Sequence, residues 1–161
     1  MKKYLCILFV FVSSFLFSQR PNKTIRDTTF EVNDLISIPF PGFCLGRGCY
    51  DGISPETYDS LTIVASFMKK YSQFIFQIET NTDQRGDSKA NKKLSGDRAS
   101  FLRSILIKRN GIDSTSLFAK GFGETNPIRS QKEIDLAKSK EEKENLYTQN
   151  RRTVLHIIGK K

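Results

Sequence analysis

The chain has 161 residues and a basic composition, with 26 Lys and Arg against 17 Asp and Glu and a formal net charge of +9. This length is enough for one domain with its own core, and it is too short for two ordinary domains. In an exported protein the charge favours a polyanionic neighbourhood over nucleic acid, but it selects no ligand.

The amino terminus has the pattern of an export signal. Lys2 and Lys3 form a positive region, residues 4–17 form an apolar stretch, and Ser18 is a small residue at a cleavage point. The apolar stretch is shorter than the roughly 20 residues that a membrane span needs. We predict a signal peptide at 1–18, with an uncleaved anchor as the alternative and no transmembrane span after its removal. No Cys follows at a cleavage site, so nothing indicates lipid attachment.

The remaining chain alternates helical and strand patterns. Residues 19–29 are polar and predict a flexible leader, and the domain itself is predicted over 30–161. Strands alternating with helices over this length predict one α/β (α+β) two-layer sandwich, with helices packed on a small mixed sheet. In chain order the patterns predict a strand within 30–39, a helix from Ser54-Pro55 with Leu61, Val64, Ala65 and Met68 buried, a strand at 74–78, a helix over about 89–109, a strand at 117–120, helix within 131–150 and a strand at 153–158.

The predicted second helix has Leu94, Phe101, Leu102, Ile105 and Leu106 on its apolar side, and the Asn-Gly pair at 110–111 should end it. A later segment has Ser139 and Glu142 at the spacing of a capping box. The Lys/Glu run at 138–144 predicts a solvated helix face with i,i+4 pairs.

Two cysteines remain after the predicted signal peptide. Cys44 and Cys49 lie close together in a Gly-rich stretch, and an exported pair of this kind favours a structural disulfide, with two free thiols as the alternative. A metal site would need more ligands, and the only histidine, His156, is far away in the sequence within an apolar strand pattern. The sequence therefore predicts no metal and no cofactor.

Five short motifs recur in a fixed order over most of the domain. One loop motif would be weak evidence, but five in register are specific. Together they resemble the OmpA C-terminal family, which includes peptidoglycan-associated lipoproteins and flagellar stator wall anchors. The motifs are Thr82-Asp83-Gln84-Arg85-Gly86, Asn91 with Leu94-Ser95-Gly96-Asp97-Arg98-Ala99, Gly111-Ile112, Gly121-Phe122-Gly123-Glu124-Thr125-Asn126-Pro127, and Asn150-Arg151-Arg152.

The resemblance implies an OmpA-like βαβαβ(α)β fold and a ligand. Domains of this family hold the free α-ammonium and α-carboxylate of diaminopimelate in a wall stem peptide. By this resemblance Asp83 accepts the ammonium and Arg98 clamps the carboxylate, while Thr82 and Asn91 belong to the same pocket. Arg151 and Arg152 match a pair near the site, and the sequence leaves open which of them faces the ligand or whether the pair is a structural anchor.

The residue types fit such a ligand on physical grounds as well. A zwitterionic head requires one fixed anion and one fixed cation; Asp is short, and Arg presents a planar fork for a carboxylate. Helical side chains lean towards the helix N-terminus, so the Arg98 guanidinium can point back towards Asp83. The chain departs from the family pattern at Thr80-Asn81, where a Gly-His is usual, and it carries Arg85 inside the loop.

The most direct interpretation is non-covalent peptidoglycan binding, which would tether the envelope to the wall from the periplasm of a Gram-negative-type envelope. An outer-membrane or motor protein is a candidate partner. Two alternatives remain: a basic binder of polyanions or membrane surfaces, and a wall hydrolase. The hydrolase would need a metal set, a Cys/His pair or two convergent carboxylates, which the sequence does not indicate, so no enzyme is predicted. The alternative for Asp83 and Arg98 is an ordinary surface ion pair, which would be favoured if the other motifs were absent.

Overall fold

The computed structural model describes residues 21–38 and 54–161. These residues form five strands and four helices. The elements are β1 (Lys23–Thr24), β2 (Leu35–Ser37), α1 (Pro55–Lys70), β3 (Phe74–Asn81), α2 (Ser88–Lys108), β4 (Leu117–Gly123), α3 (Gln131–Asp135), α4 (Lys140–Asn150) and β5 (Thr153–Lys160).

The five strands form one mixed sheet in the order β1-β2-β5-β3-β4. β5 runs antiparallel to both of its neighbours, whereas β1 pairs with β2 and β3 pairs with β4 in parallel. The parallel pair β3 and β4 is joined through α2, which therefore crosses one face of the sheet. The predicted two-layer α+β sandwich is confirmed.

The core lies between the sheet and the helices α1 and α2. The four residues predicted to form the apolar face of α1 are all buried. On α2, Leu102, Ile105 and Leu106 are buried, but Leu94 is 43% exposed, so its predicted burial is wrong. The reason is that the amino-terminal half of α2 meets the sheet through the small residues Ser95 and Ala99, both fully buried.

Two strands, β2 and β3, have boundaries that differ from the sequence pattern. The strand predicted within 30–39 is β2, which has only three residues. In contrast, β3 continues beyond its apolar run to Asn81. Polar residues extend β3 because their backbone has partners: the N–H of Asn81 donates to Arg152 O at 2.9 Å. The ladder with β4 and β5 continues to the edge at which the candidate site lies.

Part of the predicted flexible leader, 19–29, belongs to the sheet. β1 pairs with β2, and Asn22 fixes this edge, because its amide donates to Asp34 at 2.8 Å and accepts from the Leu35 N–H at 2.8 Å. The structure differs here because polar side-chain contacts, which leave no apolar periodicity, hold the segment. The predicted signal peptide, Cys44 and Cys49 lie outside the described residues.

The packing of α2 on the sheet depends on a close approach at Gly121 in β4. A Cβ at this position would overlap the backbone of Ser95 and Gly96 and the Ser95 hydroxyl. The same hydroxyl accepts from the Gly123 N–H at 2.8 Å, and Thr80 Oγ1 donates to Ser95 O at 2.5 Å. The strands β3 and β4 are thus both hydrogen-bonded to Ser95 of α2, which lies three positions before Arg98.

This contact predicts opposite effects for two neighbouring glycines. We expect Gly121→Ala to lower the free energy of unfolding by about 1–3 kcal/mol, because its methyl group has no space against α2. A Cβ at Gly96 meets nothing within 4 Å, so Gly96→Ala should raise the free energy of unfolding by about 0.5–1 kcal/mol through helix propensity. Urea unfolding of both variants measures this. Equal effects of the two substitutions would contradict the close approach.

Candidate ligand-binding site

Asp83 lies just beyond the end of β3 and is 6% exposed. Its Oδ1 accepts from the backbone N–H of Arg85 at 3.0 Å and from Arg85 Nε at 3.2 Å. Its Oδ2 accepts from Arg85 Nη2 at 2.7 Å and from Arg151 Nη1 at 2.5 Å. A carboxylate offers about four lone-pair positions, so donors within the described part of the chain occupy them all.

These contacts keep the carboxyl ionised. Burial on its own raises the pKa of Asp83, but the hydrogen bonds from the two arginines outweigh it, and the pKa is lowered from its ordinary value. The site therefore presents a fixed anion at neutral pH. That anion is covered by guanidinium groups.

The two arginines before β5 point to different places. Arg151 contacts Asp83, and it also donates to Glu144 at 2.8 Å and to Thr148 at 2.6 Å. Arg152 turns inwards instead, donating to Asn126 O at 2.8 Å. Burial lowers the pKa of Arg152 to about 10, although the negative charge of Glu79 acts in the opposite direction.

Arg98 lies half-buried on α2. Burial lowers the pKa of Arg98, and the positive charge of Arg151 lowers it further, so these two guanidinium groups are near each other. The hydrogen bonds described for Asp83 come from Arg85 and Arg151. Arg98 is connected to this group through Arg151, whose positive charge acts on it.

The loop that carries Asp83 is fixed from two sides. Asn91 donates from its amide to Arg85 O at 3.0 Å and to Glu124 at 2.7 Å, and more weakly to Asp83 O at 3.4 Å. On the other side the fully buried Asn150 donates to Gln84 at 2.8 Å. Gly86 has φ +95°, a conformation that other residues rarely adopt. Asn91 and Asn150 therefore stabilise the conformation of the loop.

Arg85 forms a second layer over Asp83. Besides its bonds to Asp83, its guanidinium donates to Glu144 at 2.9 Å and lies 4.3 Å from the centre of the Tyr147 ring. The hydrogen bond to Asp83 raises the pKa of Arg85; burial acts in the opposite direction, but the bond to Glu144 adds to the increase. Glu144 and Tyr147 belong to α4, so this helix contributes an acid and an aromatic face to the site.

A model of the OmpA family matches residues 51–142, which is more than half of the chain. The chain belongs to the OmpA family. The matched segment contains Asp83, Asn91 and Arg98, and it ends before Arg151 and Arg152.

Among individual OmpA-family relatives, the chain is 32% identical over 76 residues to outer membrane porin F of Pseudomonas aeruginosa, covering 47% of this chain and 22% of the porin. It is 25% identical over 107 residues to the peptidoglycan-associated lipoprotein of Mesorhizobium japonicum, covering 66% of this chain and 57% of the lipoprotein. The chain thus spans about a fifth of the porin and little more than half of the lipoprotein.

A solved structure shows the same fold. The cell wall anchor of the type VI secretion system from Pseudomonas aeruginosa superposes with a TM-score of 0.52, at 20% identity, covering 72% of this chain and 75% of the anchor. The βαβ unit of β3, α2 and β4 is therefore placed in an OmpA-like fold. This similarity concerns the fold alone.

Thr82 is the remaining residue predicted for the site. Thr82 is buried, and its hydroxyl has no hydrogen-bond partner among the residues that the structure describes. Its N–H donates to Gly123 O at 2.9 Å, which joins the loop to the end of β4. Its role in ligand binding stays a prediction.

Sequence reasoning missed two of the residues in contact with this site, Glu144 and Tyr147. Glu144 belongs to the run predicted to be a solvated helix face with i,i+4 pairs; it is exposed there, but its described ion pairs are with Arg85 and Arg151 and not with an i,i+4 neighbour. The contacts cross 59 residues in one case, so no local spacing could indicate them.

We also searched the described residues for a metal site and for a membrane-spanning helix. Residues 21–38 and 54–161 contain no group of three or more His, Cys, Asp or Glu residues that could hold a metal ion. His156 pairs with the buried Glu79, with 2.7 Å between Nδ1 and Oε1, on the sheet outside the Asp83 loop. Within the same residues no helix is both long and apolar enough to cross a membrane.

The lowered pKa of Asp83 predicts a specific dependence of stability on pH. A carboxyl whose pKa is lower in the folded protein stabilises the fold above its ordinary pKa of about 4, and this contribution is lost as the pH falls through the folded-state value. We expect the free energy of unfolding of the protein to exceed that of Asp83→Asn by a constant amount between about pH 6 and pH 7. The difference should shrink below about pH 4.

Denaturant unfolding at each pH measures this difference. Asp97→Asn is the matched control, because it removes an exposed carboxylate of α2 whose only described ion pair is with Lys93. A difference between the protein and Asp83→Asn that grows towards low pH would mean that burial dominates and that the pKa of Asp83 is raised.

Proposed function

We propose that this chain binds peptidoglycan non-covalently through the diaminopimelate of its stem peptides and so tethers the envelope to the wall. The observation that carries the proposal is the buried, ionised Asp83 paired with Arg151, whose positive charge in turn acts on Arg98. A fixed anion next to fixed cations complements the two charged ends of one amino-acid head.

Names of relatives support the same class of ligand. The cell wall anchor of a secretion system shares the fold, and a peptidoglycan-associated lipoprotein shares sequence over most of the domain. Both belong with binding and attachment rather than with catalysis. The proposed activity is therefore binding without bond cleavage.

The charges of the site also suit a ligand that carries a carboxylate. Arg85, Arg98 and Arg151 supply three positive charges, whereas Asp83 and Glu144 supply two negative ones. The excess positive charge attracts an anionic group, and an arginine fork binds a carboxylate in a bidentate manner. In the proposed complex the ligand carboxylate lies against Arg98 and Arg151, and the ligand ammonium contacts Asp83.

Affinity for one stem peptide should be modest. A few charge-assisted hydrogen bonds to a small head group correspond to a dissociation constant of roughly micromolar to millimolar. The wall is a polymer with many such sites, so attachment gains strength from effective concentration. Weak individual sites are thus sufficient for a tether.

The cellular setting belongs to the same proposal. A signal peptide at 1–18 would deliver the domain of 30–161 to the periplasm, where the wall is reached. We propose the outer membrane or a motor complex as the structure that the domain connects to the wall. The basic composition would favour this anionic environment.

Two substitutions test the binding site. We expect Asp83→Ala and Arg98→Ala each to weaken co-sedimentation with isolated peptidoglycan by about tenfold or more, since each removes one charge-assisted contact with the ligand. Free diaminopimelate should compete with the unaltered protein. Asp97→Ala, which removes an exposed acid from the same helix, should sediment normally.

Circular dichroism and unfolding curves of the variants establish that the fold is retained. Retained sedimentation of both Asp83→Ala and Arg98→Ala would reject the pocket. If binding also fell steeply with salt, the protein would be a general polyanion binder, because that mode depends on charge and not on one carboxylate.

A further inference from the structure

We infer that Arg85 is a specificity-determining latch on Asp83, which opens for a ligand that carries both an ammonium and a carboxylate. The inference rests on the proposed function, since it concerns the selectivity of the same site. Its starting point is that no lone pair of Asp83 is left for a ligand ammonium, given the donors that surround it in the described structure. One guanidinium contact must be released before such a ligand binds.

Arg85 is the guanidinium that can leave. It lies on a loop and its side chain is 49% exposed, whereas the Arg151 side chain is 34% exposed. Arg151 is also tied to Glu144 and Thr148 at the end of α4. Release of Arg85 side-chain contacts frees positions on both oxygens of Asp83, while the backbone N–H of Arg85 still holds Oδ1.

The released guanidinium keeps two of its partners. Glu144 accepts from Arg85 Nη1 at 2.9 Å and from Nη2 at 3.3 Å, and the Tyr147 ring lies under the guanidinium. These contacts come from α4 and not from the Asp83 loop. Arg85 can therefore turn away from Asp83 and remain at the rim of the site, where its fork faces an incoming ligand.

Because of this exchange, affinity depends on the carboxylate of the ligand as well as on its ammonium. A plain amine takes the place of Arg85 on Asp83 and leaves that guanidinium with one bonded acid in place of two. A zwitterionic head places its ammonium on Asp83, and its carboxylate, which lies against Arg98 and Arg151, also accepts from the released Arg85, so Arg85 again has two bonded acids. A plain dicarboxylate leaves the latch closed. Arg85 thus sets a preference for amino-acid heads over amines.

Three ligands that differ in their charged groups test this selectivity by NMR titration: meso-diaminopimelate, 1,5-diaminopentane, which lacks both carboxylates, and pimelate, which lacks both ammonium groups. The unaltered protein should prefer diaminopimelate over both others. In Arg85→Ala we expect affinity for diaminopentane to rise and the preference for diaminopimelate over diaminopentane to fall about tenfold, which is the effect of one charge-assisted contact. Arg85→Lys should give an intermediate preference, because a lysine cannot form the planar fork.

Arg109→Ala is the matched control. Arg109 is an exposed arginine whose guanidinium lies 4.7 Å from the centre of the Tyr58 ring, at the far end of α2. Its removal changes the net charge and a tyrosine contact as Arg85→Ala does, but it should leave all three affinities unchanged. The comparison separates the latch from the loss of one positive charge.

The outcomes separate the latch from the proposed function. Binding of diaminopimelate by the unaltered protein with an unchanged preference in Arg85→Ala would overturn the latch and leave the proposed function standing. A loss of diaminopimelate affinity without a gain for diaminopentane would also overturn it, because Arg85 would then be a ligand contact only. Binding by Arg85→Ala alone would support the latch, and binding of diaminopimelate by neither protein would overturn both.

Discussion

The close approach of α2 to β4 is the constraint on which the site depends. Gly121 allows it, because a side chain there would overlap Ser95 and Gly96. Ser95 is then bonded to both parallel strands, through its carbonyl to Thr80 and through its hydroxyl to Gly123. Arg98 follows Ser95 by one helical turn, and Asp83 follows Thr80 in the chain. The contact between Ser95 and Gly121 therefore sets the positions of both Asp83 and Arg98.

Much of this fold follows from apolar periodicity, and the failures have a common cause. The helices α1 and α2 and the apolar part of β3 were predicted because their buried residues recur at helix or strand spacing. The prediction failed at Leu94 and at residues 21–29, where small or polar residues make the contacts: Ser95 brings α2 against the sheet, and the Asn22 amide holds β1 at its edge. Such contacts depend on geometry that periodicity does not encode.

The site divides in a similar way between local and distant residues. Asp83, Asn91 and Arg98 lie within sixteen positions of one another, on a loop and the helix that follows it, so their spacing in the sequence was informative. The contacts of Arg151 with Asp83 and of Glu144 with Arg85 span 68 and 59 residues. They exist because α4 and the start of β5 pack beside the loop, a result of tertiary structure that no motif contains.

The arginines over Asp83 reconcile a buried acid with a binding function. Burial raises the pKa of this carboxyl, and without a cation nearby the site would tend to lose the charge that an ammonium requires. Guanidinium groups keep the acid ionised in the absence of a ligand, but they also compete with the ligand for the same oxygens. Affinity at each site is therefore limited by the contacts that preserve its charge. In the proposed function, the wall polymer offers many stem peptides and tolerates this limit, because attachment would depend on repeated weak binding and not on one tight complex.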